Sequence, residues 1–133
     1  MENQECIFCK IAKNEIPSKK IHEDEKFLAF LDIRPAAKGH ALVIPKSHYE
    51  TFLDMPENEV KELFGLSQKL AKSLKEKLSA KYVFLLVMGE EVPHTHVHLI
   101  PSYEDTEDPF PIQLGSKIDC DLDAVLAEIK GDE

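Results

Sequence analysis

Residues 82–100 read YVFLLVMGEEVPHTHVHLI, and this stretch decides the fold. Residues 82–88 are continuously apolar, Gly89 begins a turn, and residues 92–100 alternate in polarity until Pro101 ends the pattern. A buried run, a turn and an alternating run are typical of two paired antiparallel strands. The sequence therefore predicts a strand pair in the second half of the chain.

Three further strands are predicted upstream of this pair. Residues 21–22 and 27–31 are two β-rich segments joined by a charged turn, and residues 40–44 form a third that Pro45 stops. A loop over residues 32–39 separates the second from the third. The order predicts a three-stranded meander.

One long helix and two short ones complete the predicted elements. Asp54 and Glu57 resemble a capping box at the start of the long helix. Its apolar residues follow at helical spacing: Val60, Leu63, Phe64, Leu70, Ala71, Leu74 and Leu78. Residues 7–13 and the residues Leu122, Val125, Leu126 and Ile129 indicate short terminal helices. The expected fold class is α+β, a five-stranded antiparallel meander with one long helix.

Composition and charge narrow the function classes. The 133 residues are 43% hydrophobic and 31% charged, as in one globular domain, which we expect to span residues 1–133 with an acidic tail over residues 103–133. The net charge of −9 repels nucleic acid and anionic membrane surfaces. We find no apolar stretch near the roughly 20 residues that span a bilayer, and no signal-like N-terminus. We therefore expect a cytoplasmic protein with no nucleic-acid or membrane partner.

Three histidines alternate at His94, His96 and His98. On a strand they would share one face, because successive side chains point to opposite sides. A neutral imidazole can attack an electrophile without a separate base, and a protonated neighbour can stabilise phosphate charge. The same spacing also suits a metal site. The row therefore indicates either nucleophilic catalysis or metal binding.

Cys6 and Cys9 are separated by two residues, a short spacing typical of zinc ligands. A tetrahedral zinc needs two more ligands, for which His48 and one histidine of the row are available. A redox dithiol is the alternative. This leaves His22 and His40 without an assigned role.

The string His94-Thr95-His96-Val97-His98-Leu99-Ile100 resembles the defining motif of the histidine triad (HIT) nucleotide-binding family. Further segments resemble the Hint branch of that family, and the resemblance covers roughly residues 6–101. These segments are Cys6-Ile7-Phe8-Cys9-Lys10-Ile11, Ile16-Pro17, Phe30-Leu31-Asp32-Ile33, Gly39-His40 and Val43-Ile44-Pro45-Lys46-Ser47-His48.

The resemblance implies a nucleoside-phosphate hydrolase or transferase, usually a homodimer, that takes a purine nucleotide resembling AMP or GMP. It implies a nucleotidyl intermediate on His96, a phosphate contact from His98, and ribose binding by Asp32. The base pocket would be lined by Ile7, Phe8, Ile11, Phe30 and Ile33, although core packing is the plain alternative for these apolar residues. One structural Zn²⁺ per chain would be held by Cys6, Cys9, His48 and His94.

The turn before the row departs from the family pattern. Gly89-Glu90-Glu91-Val92-Pro93 replaces a Gly-Gln-Ser type segment whose donors reach the phosphate. We place Gly89 and Glu91 in the nucleotide site on the strength of the motif. A carboxylate there must face away, be protonated or meet a cationic leaving group, unless the turn is simply solvated.

Three hypotheses follow. The first is an enzyme that cleaves a purine nucleoside phosphoramidate, or a related phosphate derivative, without a catalytic metal. The second is a nucleotide-binding scaffold with little or no catalysis. The third is a metal-dependent hydrolase that uses the histidine row as its metal site.

Overall fold

A computed structural model describes residues 5–89, 92–103 and 120–131. The strands are β1 (Lys20–Glu23), β2 (Phe27–Leu31), β3 (Ala41–Pro45), β4 (Tyr82–Val87) and β5 (Val97–Ser102). The helices are α1 (Ile7–Ala12), α2 (Glu57–Leu78) and α3 (Leu122–Lys130), with a 3-10 turn at Phe52–Asp54. The α+β class, the five strands, the long helix and the short terminal helices are confirmed.

All strand pairs in the sheet are antiparallel, in the order β1-β2-β3-β5-β4. The meander therefore covers the first three strands only. After β3 the chain crosses through α2 to the sheet edge, forms β4 there and returns as β5, which pairs with β3 through Ala41–Leu99 and Val43–Val97. This return places the last histidine of the row in the middle of the sheet.

The two faces of the sheet bury different helices. One face packs Ala29, Val43 and Leu99 against α2 and α3. The other packs Leu28, Phe30, Leu42 and Ile44 against α1. Strand alternation divides these residues between the faces. Because His98 pairs with Leu42, it lies on the α1 face.

The start of α2 differs from the sequence expectation. The Asp54 carboxylate accepts a hydrogen bond from the Thr51 N–H at 3.2 Å and so caps the 3-10 turn, which makes the predicted Asp54/Glu57 capping box wrong. Helix α2 begins after Pro56, with no side-chain cap. Proline fixes φ near its helical value, and Glu57 and Glu59 meet the positive end of the helix dipole.

Strand β5 is also displaced from the predicted residues 92–100. The His94 N–H bonds the Val92 carbonyl at 2.7 Å, and the Thr95 N–H bonds Tyr49 at 2.7 Å, so pairing begins only at Val97. Pro101 remains inside β5, where it pairs with β4 alone. His94 and His96 therefore precede the strand.

Two predictions fall partly or wholly outside the described residues. The Glu90–Glu91 pair is not described, and the acidic tail is described only at Tyr103 and over residues 120–131. Within the described ranges, no helix has both the length and the apolar character needed to cross a membrane.

Gly39 provides a stability test close to the site. Its φ is +87°, and an added Cβ would lie 2.3 Å from Leu78 Cδ1. We expect Gly39→Ala to lower the free energy of unfolding by about 3 kcal/mol, measured by denaturant titration. Gly65→Ala is the control, because its Cβ meets nothing within 4 Å and lies inside a helix. It should stabilise by about 0.5–1 kcal/mol, and equal effects of the two changes would contradict this account.

Candidate functional site

A cavity of about 570 Å³ opens on the α1 face of the sheet. Its lining consists of Ile7, Phe8, Ile11, Ile16, Pro17, Ser18, Phe30, Leu31, Asp32, Ile33, Arg34, Leu42, Val92, His96 and His98. The volume suits a ligand of nucleotide size. Most of the lining side chains are apolar, and the polar ones include Asp32, His96 and His98.

The cavity lining contains every residue that the resemblance assigns to the base pocket. Phe8, Ile11 and Phe30 are buried and belong to the core beneath α1, so they pack the protein as well as line the cavity. Ile7 and Ile33 are different, because 47% and 68% of their surfaces are exposed. Exposed apolar side chains at a cavity wall are suited to cover a flat apolar ligand.

Asp32 is a polar residue of the lining and directly follows β2. Its Oδ1 accepts a hydrogen bond from the Arg34 N–H at 2.9 Å, and its Oδ2 lies 3.6 Å from His40 Nε2. The carboxylate is mostly buried yet still lines the cavity. It retains acceptor positions for hydroxyl donors of a ligand.

His96 is held by a backbone carbonyl. Its Nδ1 lies 2.7 Å from the His94 oxygen, so Nδ1 carries the proton and donates it. The lone pair is then on Nε2. The ring is buried, lines the cavity and stands edge-on to Phe8, with the ring centroids 5.1 Å apart. The carbonyl is the tautomer-fixing acceptor that the sequence did not reveal.

His98 has the opposite tautomer. The Ala36 N–H donates to His40 Nδ1 at 2.9 Å, so the His40 proton is on Nε2. That N–H donates to His98 Nδ1, also at 2.9 Å, which leaves the His98 proton on Nε2. Within the described part of the chain, this buried Nε2 has no hydrogen-bond partner. It is a donor with its partner missing, on a residue that lines the cavity.

Burial keeps both histidines neutral. It lowers the pKa of His98 to about 3, with help from the neighbouring His96 and His40 rings. It also lowers the pKa of His40, against the opposing effect of the Asp32 carboxylate. Neutral rings are what the hydrogen-bond relay requires, because each must both donate and accept.

His40 is the site residue that sequence reasoning missed. It is 1% exposed and touches His98, yet it lies just before β3 and 58 positions away along the chain. The Gly39-His40 pair was part of the family resemblance, but spacing alone gave it no role. His22, by contrast, is on β1 and bonds Asp24 at 2.7 Å, outside the cavity lining.

The structure brings together the four residues that the resemblance assigns to zinc. Cys6 Sγ lies 3.3 Å and Cys9 Sγ 3.5 Å from His94 Nδ1, while His48 Nδ1 lies 3.3 Å from Cys9 Sγ and 3.2 Å from His94 Nδ1. Tetrahedral zinc with such ligands separates its donor atoms by about 3.3–3.8 Å. His94 Nε2 donates to the Pro45 carbonyl at 2.8 Å, which leaves the Nδ1 lone pair facing the thiols. The donor set fits a tetrahedral metal.

The three histidines of the row do not converge on one point. His94 Nδ1 lies beside the cysteine thiols, His96 lines the cavity with its Nδ1 bonded to the His94 carbonyl, and His98 Nδ1 meets His40. No candidate metal group among the described residues contains all three. Asp32, His40 and His98 form a second such group, but a proton already occupies His40 Nε2. This geometry argues against the histidine row as a catalytic metal site.

Gly89 and Glu91 were also assigned to the nucleotide site. Gly89 is absent from the residues that line the cavity, and a Cβ there would meet Thr51 Cγ2 at 3.3 Å. Glu91 lies outside the described residues.

The neutral state of buried His98 predicts a pH-dependent stability. The pKa of His98 is about 3 in the folded protein and near 6.5 in the unfolded chain. Its contribution to the free energy of unfolding is therefore fully present above pH 6.5 and is lost as the pH falls toward 3. We expect the stability advantage of wild type over His98→Asn to shrink by about 1 kcal/mol between pH 7.5 and 5.5. Denaturant titrations at both pH values measure it, and a constant difference would contradict the assignment.

Known proteins resemble this chain over most of its length. Residues 13–105 match the HIT domain model. An uncharacterised HIT-like protein of Methanocaldococcus jannaschii is 46% identical over 130 residues, covering 95% of this chain and 99% of that protein. The adenosine 5′-monophosphoramidase of Saccharomyces cerevisiae is 43% identical over 103 residues, covering 75% and 64%.

A solved structure shares both the fold and most of the length. The zinc-bound histidine triad family protein of Mycobacterium smegmatis superposes with a TM-score of 0.85 at 30% identity, covering 96% of this chain and 91% of that one. The cavity, the histidine row and these likenesses agree, and the chain belongs to the HIT family.

Proposed function

We propose that this protein is a nucleotide-binding hydrolase or transferase that cleaves a purine nucleoside phosphoramidate, or a related phosphate derivative, through a nucleotidyl intermediate on His96. One observation carries the proposal. His96, with its lone pair on Nε2, and His98, whose Nε2–H has no hydrogen-bond partner among the described residues, line the same cavity. The yeast relative named adenosine 5′-monophosphoramidase supports the same bond type.

The reaction follows from the two tautomers. His96 Nε2 attacks phosphorus, the P–N bond breaks, and the amine leaves with the electron pair and takes a proton from water. The His94 carbonyl, bonded to His96 Nδ1, stabilises the positive charge that develops on the attacking ring. The His98 N–H donates to a non-bridging phosphate oxygen. Water then attacks phosphorus and releases the nucleoside monophosphate and free His96.

The remaining cavity residues bind the nucleoside in this proposal. Ile7 and Ile33 cover the base from the exposed side, while Phe8 and Phe30 line the wall beneath it. Asp32 accepts hydrogen bonds from the ribose hydroxyls. The His40–His98 hydrogen bond is a positioning contact, because it keeps the His98 proton directed at the phosphate.

We also propose one structural Zn²⁺ per chain at Cys6, Cys9, His48 and His94. The donor distances support this, as does the zinc-bound family structure. When bound, zinc crosslinks α1 to the segments that carry His48 and His94 and supplies no chemistry to the substrate.

A homodimer is a further part of the proposal. Strand β4 is the last strand of the sheet order, so its outer edge has no strand partner among the described residues. Tyr82 and Leu85 on this strand are 56% and 44% exposed. An exposed edge with apolar side chains favours pairing with a second copy.

The nucleophile is tested with His96→Ala. Turnover of adenosine phosphoramidate should fall at least about 1000-fold, because His96 Nε2 supplies the attacking lone pair in the proposed reaction. AMP binding by calorimetry and zinc content should be retained. His22→Ala is the control, since His22 lies outside the cavity. Full activity of His96→Ala would sink the mechanism, and AMP binding without wild-type turnover would favour the scaffold hypothesis.

The zinc site is tested with Cys9→Ser. Elemental analysis should find about one zinc per chain in wild type and almost none in this variant, with Tm lower by roughly 10 °C. Cys120→Ser is the matched control, because Cys120 does not belong to the four-residue group. Metal-free wild type, or unchanged melting after zinc loss, would refute the assignment.

A further inference from the structure

We propose that the four-residue metal cluster positions the nucleophile, because the residue that closes the cluster, His94, also supplies the carbonyl that fixes the His96 tautomer. Zinc occupancy would then determine which nitrogen of His96 carries the proton. The inference rests on the roles proposed above for zinc and His96. In this proposal Cys6, Cys9 and His48 are positioning residues: they do not contact the substrate but act on His96 through His94.

The first argument is the double role of one residue. The His94 ring is fully buried, with Nδ1 among the Cys6, Cys9 and His48 donors and Nε2 bonded to Pro45 at 2.8 Å. Its main-chain oxygen is the acceptor for His96 Nδ1 at 2.7 Å. Side chain and carbonyl belong to one residue, so restraint of the ring restrains the carbonyl.

The second argument is the lack of sheet support at this position. Strand β5 begins at Val97, so the His94 carbonyl lies in a segment without ladder hydrogen bonds. The neighbouring support comes from Thr95, whose N–H and Oγ both bond the Tyr49 carbonyl, at 2.7 and 3.0 Å. Tyr49 directly follows the ligand His48. Zinc would therefore tie the 48–49 and 94–95 segments together at adjacent residues.

The third argument is Phe8, which lies between the two cysteines in sequence. Its ring stands edge-on to both His94 and His96, at centroid distances of 5.9 and 5.1 Å, and it lines the cavity. Helix α1 has only six residues, and its N-cap is the ligand Cys6. A helix this short depends on tertiary contacts for its position. Loss of the metal would loosen the wall that holds the His96 ring.

The groups proposed to bind the ribose and the phosphate are held independently of the cluster. Asp32 is held by the Arg34 N–H, and His98 by His40, whose ring the Ala36 N–H anchors. Metal loss should therefore move the His96 proton toward Nε2, where the ring can no longer attack, and weaken nucleotide binding far less than catalysis. A purely structural zinc would instead weaken binding and catalysis together.

The experiment compares His48→Ala with His48→Cys. The alanine removes one ligand and keeps every side chain of α1 and His94, whereas the cysteine restores a fourth donor. In zinc-free, folded His48→Ala we expect single-turnover cleavage of adenosine phosphoramidate to be at least tenfold slower, with the Kd for AMP within about threefold of wild type. Imidazole ¹⁵N shifts should show a proton on His96 Nε2. His48→Cys should recover zinc, rate and tautomer.

The proposal is overturned if folded, zinc-free His48→Ala keeps the proton on His96 Nδ1 and the wild-type rate. It is equally overturned if AMP binding weakens as much as the rate. If the alanine variant does not fold, the ¹⁵N shifts of wild type are followed during stepwise chelation, and they must track zinc occupancy. These shifts also decide the question if wild type proves inactive, which separates this inference from the proposed reaction.

Discussion

The hydrogen bond between the His96 ring and the His94 carbonyl is the contact on which the site depends. An imidazole has two nearly equivalent nitrogens, and only a fixed acceptor at one of them defines the chemistry of the other. Each histidine of the row receives a different anchor. His94 donates to Pro45, His96 donates to His94, and His98 accepts from His40. One short segment thus presents the three imidazoles for which we propose metal binding, nucleophilic attack and phosphate contact.

These anchors work because the sheet separates stability from chemistry. Between the sheet and helices α2 and α3, apolar side chains such as Leu63, Leu74 and Leu99 are buried. These side chains need no hydrogen-bond partners. Among the described residues, the opposite face packs against the short α1, and a cavity lies beside this helix. Burial in that cavity excludes water from the histidines and keeps His40 and His98 neutral. Burial thus gives the histidines surroundings of low polarity, and their fixed hydrogen-bond partners determine which ring nitrogen carries the proton.

Local patterns in the sequence predicted the elements well but not their connections. The apolar period of residues 60–78 and the run over residues 82–88 correspond to α2 and β4, because each pattern reflects burial of one element. Strand order depends on long-range pairing, so the place of β5 beside β3 could not be read from periodicity. The same limit applies to β5 itself, whose start is set by the bonds from Thr95 to Tyr49 rather than by alternation.

The sequence predicted those parts of the candidate site in which the residue types themselves restrict the possible chemistry. Two cysteines at short spacing and three alternating histidines have few alternative uses, and the structure brings the cysteines within reach of His48 and His94. The sequence assigned no role to His40, because a single histidine does not form a motif. Its importance comes from an Ala36 N–H on one side and His98 on the other, and both contacts exist only after folding.

Helix α1 shows how this architecture leaves room for divergence. Its two thiols lie at the cap and third position and point inward, while Ile7 between them is 47% exposed at the cavity wall. A substitution at Ile7 would therefore alter the cavity wall without removing either thiol. If the proposed zinc and base sites are right, the same short segment combines two side chains that metal binding fixes with one that is open to change, so the ligand preference could be altered without altering the metal site.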